Sequence, residues 1–503
     1  MKVYLAGYNV DTSVLSDLQE KTGKRPDVTP EVISAAYARI SRDSRPINEI
    51  RKDSREEVER SRKSNKTIIF KMGHHSVAEH AVFNLDILGV SRLAMEELEK
   101  FRLCSYTEKS QRYITLDKDY VIPEEIKDTH FEKEFVEVVR KQNEAYLKLF
   151  DKLKTYVFEK YSDLTANSKN HNLLEGWAKE DARYITALAT ESQVGQTINA
   201  RNLELLLRRF ASHPLLEVQK LGRMIYEAIA DVAPSIVIFH QANDRDEKTY
   251  PELKELARKI TESCNIQHFG DDVQLVEVSE DGDAIVCASL LHSSSDLSYQ
   301  DCRSVVEGLS QDERWEVFTT AMKNMQFYDS MLREFEYVNF TFNIVLSAAC
   351  FGQLKRHRMA TLTAQRYDPT LGFTLPASIK EIGMEDYFGE IIDETNALYN
   401  AMYKEIPQAA PYVLTNAHRR RVLIRINARQ LYHISRLRED VHAQWDIENV
   451  ARAMREQAKK VMPFTFALAG GKDKYNEVYK GIFGQMPKVT EEVLPGEREI
   501  KKE

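Results

Sequence analysis

The sequence predicts an α+β fold that is built twice in tandem. Its 503 residues are 43% hydrophobic, and this length and composition favour two or more domains with large buried cores. Runs of β-branched and aromatic residues, typical of strands, lie among stretches in which apolar residues recur at helical spacing. Blocks of the first half return in the same order in the second half. Each half therefore combines helices with antiparallel strands, and each half repeats the other.

The repeat rests on four pairs of matched blocks. The offset between paired blocks falls from 257 to 256, 254 and 228 residues along the chain, which indicates deletions in the second copy. The pairs are 79–87 with 336–344, 91–102 with 347–358, 111–113 with 365–367, and 199–201 with 427–429. We therefore predict one domain at 1–240 and a second at 241–503, with the junction in the polar, charged segment 241–251.

Local patterns predict the elements of each repeat. The segments 83–87 and 340–346 are rich in β-branched or aromatic residues and predict strands. The short apolar runs 273–278 and 284–288 predict a hairpin around Gly282. Helices are predicted at 93–101, 199–210, 353–358 and 427–437.

Composition argues against several classes of function. With a net charge of −8, the chain has no bulk attraction for nucleic acid or anionic membranes. It has no apolar run near the roughly 18 residues of a spanning helix and no secretory signal, so a cytoplasmic protein is expected. The five cysteines form no Cys-x-x-Cys pair, and no metal site is expected. The arginine-rich run 418–425 could bind phosphate or RNA, but a solvated strand edge or loop is the favoured interpretation.

Arginine clusters carry the candidate chemistry. Arg356-His357-Arg358 ends the helix predicted at 353–358 in the second repeat, and Arg102 is followed by Ser110 and Arg112 in the first. Arginine forks match phosphate oxygens, so each cluster could hold an anion. A solvated helix end that complements its dipole is the alternative.

The motifs resemble those of the flavin-dependent thymidylate synthases, and the resemblance covers nearly the whole chain. The first repeat carries the upstream His motif, the Ser-x-Arg-Tyr end of the arginine motif, and an Arg sixteen residues before the Asn-x-Arg helix. The second repeat carries an intact Gln and Arg-His-Arg, followed by a helix ending in Leu-Arg and then Ala-Gln-Trp-Asp-Ile. The first-repeat residues are His74, Glu79, Ser110, Gln111, Arg112, Arg183, Asn199 and Arg201; the second-repeat residues are Gln353, Arg356, His357, Arg358, Asn427, Arg429, His433 and Arg438.

Each repeat departs from the family pattern in a different place. In the first, Lys100-Phe101 replaces Arg-His, Glu97 replaces Gln, and Phe210 stands where the family has an Arg. In the second, Arg366 stands where Ser is expected and Pro411 where the first repeat has Arg183. The losses are nearly complementary, which predicts composite sites in a homodimer that forms a pseudo-tetramer.

The resemblance implies reductive methylation of dUMP with methylenetetrahydrofolate, FAD and NADPH. It implies catalytic roles for Arg438 and Arg356 beside the pyrimidine ring. Implied substrate contacts are Gln353, Arg356, Ser110, Gln111, Arg112 and Arg183. Implied FAD contacts are His74, Glu79, Asn199, Arg201, Arg356, His357, Arg358, Asn427, Arg429 and His433. Action on another pyrimidine nucleotide and a catalytically dead nucleotide-binding scaffold remain alternatives.

Overall fold

The structure is a computed structural model that describes residues 1–10, 29–39, 45, 47–56, 58–67, 75–112, 119–264 and 270–488. The strands are β1 (Lys2–Tyr8), β2 (Val82–Ser91), β3 (Cys104–Glu108), β4 (Glu191–Asn199), β5 (Val273–Val278), β6 (Asn339–Ser347), β7 (Thr361–Ala364) and β8 (Arg419–Asn427). The helices are α1 (Glu31–Arg39), α2 (Ile47–Glu56), α3 (Val58–Asn65), α4 (Arg92–Leu98), α5 (Glu132–Lys160), α6 (Ser162–Thr165), α7 (His171–Ala182), α8 (Ala200–Ala211), α9 (Leu216–Ile229), α10 (Asp244–Thr261), α11 (Gly282–Ser293), α12 (Tyr299–Gly308), α13 (Gln311–Met322), α14 (Ala348–Leu354), α15 (Ala377–Glu381), α16 (Glu385–Glu405), α17 (Ala428–Arg438), α18 (Trp445–Val461) and α19 (Tyr475–Phe483).

The chain folds as two compact units. Unit 1 comprises Met1–Gln267 and Gly372–His418, and unit 2 comprises His268–Leu371 and Arg419–Glu503. The segment Gly372–His418, which includes α15 and α16, therefore packs in unit 1 although it belongs to the second half of the sequence. The predicted repeat boundary at residue 240 stays a prediction.

Each unit contains an antiparallel sheet of four strands in the described part of the chain, and the two sheets share one topology. The strand orders are β1-β2-β4-β3 and β5-β6-β8-β7. The register also agrees, because Val82 pairs with Asn199 in unit 1 and Asn339 pairs with Asn427 in unit 2. The mixed α+β class with two related domains is confirmed.

The strand-to-helix junctions repeat as well. Ser91 ends β2, and its Oγ accepts the Ala94 N–H at the start of α4 and donates to Glu217 Oε2 at 2.6 Å. In unit 2, Ser347 Oγ accepts the Cys350 N–H and donates to Asp446 Oδ2, also at 2.6 Å. Asn199 and Asn427 cap α8 and α17 in the same way, each accepting a backbone N–H three residues later. Such caps satisfy donors that a helix start would leave unpaired.

Within unit 1, a segment of each repeat pairs with its counterpart. Residues 184–189 and 412–417 run antiparallel, and Ala187 bridges Thr415, its equivalent at an offset of 228 residues. Four backbone hydrogen bonds form two reciprocal pairs: Leu188 N to Leu414 O with Asn416 N to Thr186 O, and Ala189 N to Tyr412 O with Ala417 N to Tyr184 O. The segments are therefore related by a local pseudo-two-fold axis.

Three local predictions are wrong. The run 284–288 belongs to helix α11, not to a hairpin strand, because a short apolar run has no period that separates strand from buried helix. The helix predicted at 353–358 ends at Leu354. The arginine-rich run 418–425 lies mostly in β8, an inner strand of its sheet, so it is neither an edge nor a loop. Apart from these three, the segment 241–251 is partly helical, since Asn243 caps α10, and its role as the junction stays a prediction.

Candidate active site

The first candidate site lies in unit 1, in the loop after β3. Ser110 Oγ accepts the backbone N–H of Arg112 at 3.2 Å, which tightens the loop. Arg112 Nε donates to Glu180 Oε2 at 2.5 Å, and Glu180 is buried on α7. The loop and the C-terminal end of α7 therefore meet through a guanidinium and a carboxylate.

Arg183 and Asn416 complete this group, which we call the anion cluster (Ser110, Gln111, Arg112, Glu180, Arg183 and Asn416). Asn416 Nδ2 lies 3.2 Å from Gln111 Oε1 and 3.1 Å from the Arg183 carbonyl oxygen. Two buried donors, Gln111 Nε2 and Arg183 Nη2, have no hydrogen-bond partner among the described residues. The buried acceptor Asn416 Oδ1 also has no partner among them. Buried polar groups are normally paired, so unpaired donors here indicate a place for acceptor oxygens.

The charges of the cluster favour an anion. Arg112 donates to the Glu180 carboxylate, whereas Arg183 Nε donates to the Glu180 backbone carbonyl at 3.3 Å, and both positive charges act on Glu180. Burial lowers the pKa of Arg183, and the nearby charges of Arg112 and Arg92 act in the same direction, while Glu180 opposes them. Burial also raises the pKa of Glu180. A bound anion would offset the burial of the Arg183 charge.

The second candidate site lies in unit 2, where α14 and α17 end. Arg438 is the last residue of α17, and its Nε donates to His357 Nε2 at 2.9 Å. Its Nη2 lies 3.4 Å from the carbonyl oxygen of Gln353. Gln353 Nε2 donates to Gln444 Oε1 at 3.2 Å, and the buried Gln353 Oε1 has no partner among the described residues. These contacts hold the two helix ends together.

His357 is neutral in this site. Burial lowers the pKa of His357 to about 3, and the positive charges of Arg438 and His433 act in the same direction. A neutral imidazole can accept the Arg438 N–H through Nε2, which fixes the guanidinium. On the same turn, Arg356 is exposed with Nε donating to the Gly352 carbonyl at 3.3 Å, and Arg358 is half-buried.

Helix α17 gathers the other predicted second-repeat residues. Arg429 Nη1 donates to Glu336 at 2.9 Å and Nε donates to the Met331 carbonyl at 2.7 Å. The His433 ring lies 5.9 Å from the His357 ring. Desolvation lowers the pKa of His433, and so do the charges of Arg438, Arg436 and Arg429. This concentration of cationic donors fits phosphate groups.

The corresponding first-repeat residues form a smaller set. Arg201 Nη1 donates to Glu79 at 2.5 Å, the counterpart of the Arg429–Glu336 pair. Both residues line a cavity of about 380 Å³ beside the start of α8. His74 lies outside the described residues.

An aromatic pair occupies the place of Arg438 and His357 in the first repeat. Phe210 and Phe101, their counterparts, pack edge to face with ring centroids 6.0 Å apart, and Phe210 is 2% exposed. The neighbouring Glu97 accepts from Lys100 at 2.5 Å and lies 3.2 Å from His213. The first repeat therefore has an apolar contact where the second has a charged one.

The profile of the family described as "Thymidylate synthase complementing protein" matches residues 26–235 and 274–464, one region in each half of the chain. The chain belongs to this family. A flavin-dependent thymidylate synthase of Clostridium tetani is 32% identical over 212 residues, which are 41% of this chain and 80% of that protein.

Longer relatives match most of the chain. A UPF0159 protein of Chlamydia pneumoniae is 25% identical over 430 residues, 82% of this chain and 81% of that protein. A UPF0159 protein of Thermoplasma acidophilum is 21% identical over 482 residues, 87% of this chain and 93% of that protein. The similarity to these relatives therefore extends over both repeats. Their names state no activity.

The site residues predicted from the family resemblance form two groups, one in each unit. Ser110, Gln111, Arg112 and Arg183 lie together in unit 1, and Gln353, His357 and Arg438 lie together in unit 2. The combination of the two groups into one site stays a prediction. Among the residues that the structure describes, no helix is long and apolar enough to cross a membrane, and no set of three His, Cys, Asp or Glu is placed to bind a metal.

Sequence reasoning missed three polar residues of these sites. Glu180 and Asn416 belong to the anion cluster, and Gln444 holds Gln353. A signal for Asn416 existed, because the repeat offset of 228 residues pairs this amide with the apolar Leu188. Gln444 lies in the Ala-Gln-Trp-Asp-Ile segment that carried the resemblance, but spacing alone assigned it no contact.

Proposed function

We propose that the chain is a flavin-dependent thymidylate synthase that converts dUMP to dTMP, with methylenetetrahydrofolate as the carbon donor and NADPH as the reductant. The observation that carries this proposal is the pair of buried, unpartnered donors in the anion cluster, Gln111 Nε2 and Arg183 Nη2. They match the oxygens of a phosphate monoester, and they stand on motif residues of the family.

The nucleotide phosphate would occupy the anion cluster. Arg112 and Arg183 supply positive charge, Gln111 supplies a neutral donor, and Ser110 adds a hydroxyl. Charge-assisted hydrogen bonds of this kind are about twice as strong as neutral ones. Since Glu180 already neutralises part of the charge, the cluster would bind the phosphate without an excess of buried cations.

The pyrimidine ring would lie beside Arg438 and Arg356. The neutral His357 orients the Arg438 guanidinium, which would stabilise negative charge on the activated pyrimidine. The unpartnered Gln353 Oε1 is a buried acceptor that suits the N3–H of uracil. Because the two candidate sites belong to different units, we propose that they combine as composite sites in a homodimer, which would make a pseudo-tetramer of repeats.

The donor chemistry fits FAD. In the second repeat, Arg429 and His433 on α17, its cap Asn427, and His357 and Arg358 after α14 would hold the dinucleotide. In the first repeat, Glu79 and Arg201 line the 380 Å³ cavity, and Asn199 caps α8 beside it. Together with His74, these residues would supply further contacts. Bound flavin would supply the hydride that completes the methyl group, so the protein has to bind, orient and polarise.

The test uses the full-length protein with added FAD, NADPH, methylenetetrahydrofolate and dUMP, and it measures dTMP by chromatography. Formation of dTMP is expected, and it should be lost in Arg183→Ala but kept in Arg209→Ala, a control at an exposed arginine of the same unit. The second candidate, another pyrimidine nucleotide, predicts a methylated product with deoxycytidylate instead. A protein that binds no flavin and methylates neither nucleotide would contradict both and favour the dead scaffold.

A further inference from the structure

Asn416 brings a side chain from the second half of the sequence into the anion cluster of unit 1. It is 1% exposed and lies in the segment that pairs with residues 184–189. Its Nδ2 contacts three acceptors: Gln111 Oε1 at 3.2 Å, the Arg183 carbonyl at 3.1 Å and Thr186 Oγ1 at 2.9 Å. The amide thus touches the two residues that carry the unpartnered donors.

These contacts decide which way the amide of Asn416 faces. Turned around, Asn416 would place its carbonyl oxygen against two other oxygens that carry no hydrogen, Gln111 Oε1 and the Arg183 carbonyl. The orientation with Nδ2 inward avoids this repulsion, and an amide orientation is assigned by its hydrogen-bond network in this way.

Asn416 in turn decides the orientation of Gln111. A side-chain amide has its acceptor and its donors on opposite branches, so Gln111 must keep Oε1 toward Asn416 and Nε2 away from it. Nε2 is then buried without a partner, as is Arg183 Nη2. Without the Asn416 donor, either end of the Gln111 amide could face the anion, and one of them would repel it.

The pseudo-two-fold pairing places no such amide on the other side. The counterpart of Asn416 is Leu188, and the counterpart of Arg183 is Pro411. The counterparts of Gln111 and Arg112 are the exposed Gln365 and Arg366. Asn416 and Arg183 therefore occur together on one side of the paired segments, and both are absent from the symmetric side.

We propose that Asn416 is a positioning residue for the nucleotide phosphate: it turns the Gln111 amide so that Nε2, together with Arg183 Nη2, faces the anion. This rests on the proposed function, since it assigns the phosphate of dUMP to the anion cluster. A single intact phosphate site then needs residues from both repeats within one chain.

The experiment compares the full-length wild type with Asn416→Leu, which has the residue of the symmetric position, and with Asn416→Asp, which keeps the shape, replaces the donor by an acceptor and adds a negative charge. Calorimetry measures the Kd of dUMP and of deoxyuridine, which lacks the phosphate. Gln142→Leu is the matched control, because Gln142 is another buried amide that joins the same parts of unit 1 through Thr395 and Val413 but does not touch the cluster.

We expect the Kd of dUMP to rise by about tenfold in Asn416→Leu and by about a hundredfold in Asn416→Asp. The Kd of deoxyuridine should stay as in the wild type. In turnover assays the KM for dUMP should rise more than kcat falls. Gln142→Leu should leave the ratio of the two Kd values as in the wild type, whatever it does to stability. If Asn416→Leu does not fold, Asn416→Ala carries the same test, because it also removes the donor and adds no charge.

Two failures are distinguishable. A wild type that binds dUMP at least tenfold more tightly than deoxyuridine, with the same ratio in both Asn416 variants, overturns only the role of Asn416. A wild type that shows no preference for dUMP overturns the assignment of the phosphate, and with it the proposed function.

Discussion

Helices α8 and α17 follow equivalent strands of the two sheets, yet the C-terminal end of one is apolar and that of the other is charged. Phe210 packs on Phe101 in unit 1, whereas Arg438 donates to His357 in unit 2. The surrounding frame hardly differs. Both helices begin at an asparagine cap, and both have an arginine in their first turn that pairs with a glutamate from an earlier segment, Arg201 with Glu79 and Arg429 with Glu336.

The difference shows that frame and chemistry are separable in this fold. Strand register and helix caps depend on residues that both repeats keep, so both helices form in the same place. The charged character of the helix end in unit 2 depends on two side chains, Arg438 and His357, and the first repeat has two packed phenylalanines in their place. We therefore expect substitutions at Arg438 to affect turnover and substitutions at Phe210 to affect stability.

The largest effect is expected for Arg438→Ala. Loss of a preorganised donor beside developing charge lowers kcat by roughly a hundredfold to a thousandfold, and we expect the upper end because His357 also loses its partner. Rates of dTMP formation at saturating dUMP measure the effect, with flavin absorbance as a check that FAD still binds. Turnover within threefold of the wild type would remove Arg438 from the catalytic assignment.

For Phe210→Ala we expect a loss of about 3 kcal/mol in the free energy of unfolding, because a buried ring is replaced by a cavity. Urea denaturation followed by circular dichroism measures this loss. The rate per folded molecule should stay as in the wild type. A variant of normal stability with no turnover would mean that this helix end is not merely packing.

Replacing His357 should change how the stability of the protein depends on pH. The pKa of His357 falls from about 6.5 to about 3 on folding. Below pH 6.5 this imidazole therefore becomes protonated in the unfolded chain but stays neutral in the folded protein. Stability is therefore lost as the pH falls, by up to about 1.4 kcal/mol per pH unit. The melting temperature of His357→Asn should drop less than that of the wild type between about pH 7 and pH 4.5. Parallel curves would mean that His357 is protonated in the folded protein.

The smallest effect is expected for Glu97→Gln. Although burial opposes ionisation, Lys100 and His213 hold the pKa of Glu97 well below its usual range. The ionised form therefore adds stability above about pH 4.3, and this is lost as the pH falls further. Glu97→Gln should cost about 1 kcal/mol at neutral pH and less in acid. A cost that does not change with pH would point to packing as the cause.

Much of the fold could be predicted from the sequence because it depends on local signals that occur twice. The strands at 83–87 and 340–346 and the helices after Asn199 and Asn427 are confirmed. The packing of Gly372–His418 in unit 1 was not predicted, since the pairing of distant segments has no local signature. The run 284–288 was assigned to a strand and lies in a helix for a different reason, because so short an apolar run has no period that tells a strand from a buried helix.

The candidate sites were predicted as sets of residues, without the contacts that orient them. Arg183 and Arg438 were named from the resemblance to the family's motifs, but the sequence could not show that Asn416 supports one and His357 the other. Such second partners lie far away along the chain, 233 residues in the case of Arg183 and Asn416. Only the folded chain brings them together.

The local two-fold pairing of residues 184–189 with 412–417 has an evolutionary consequence. In an assembly of identical chains, every substitution at a symmetric contact appears on both sides of the axis, so a change that suits one side must also suit the other. Covalent fusion of the two copies lifts that constraint. Here one side has a leucine and the other an asparagine. A gene that encodes both copies in one reading frame can thus specialise each side separately, which two equal subunits cannot do.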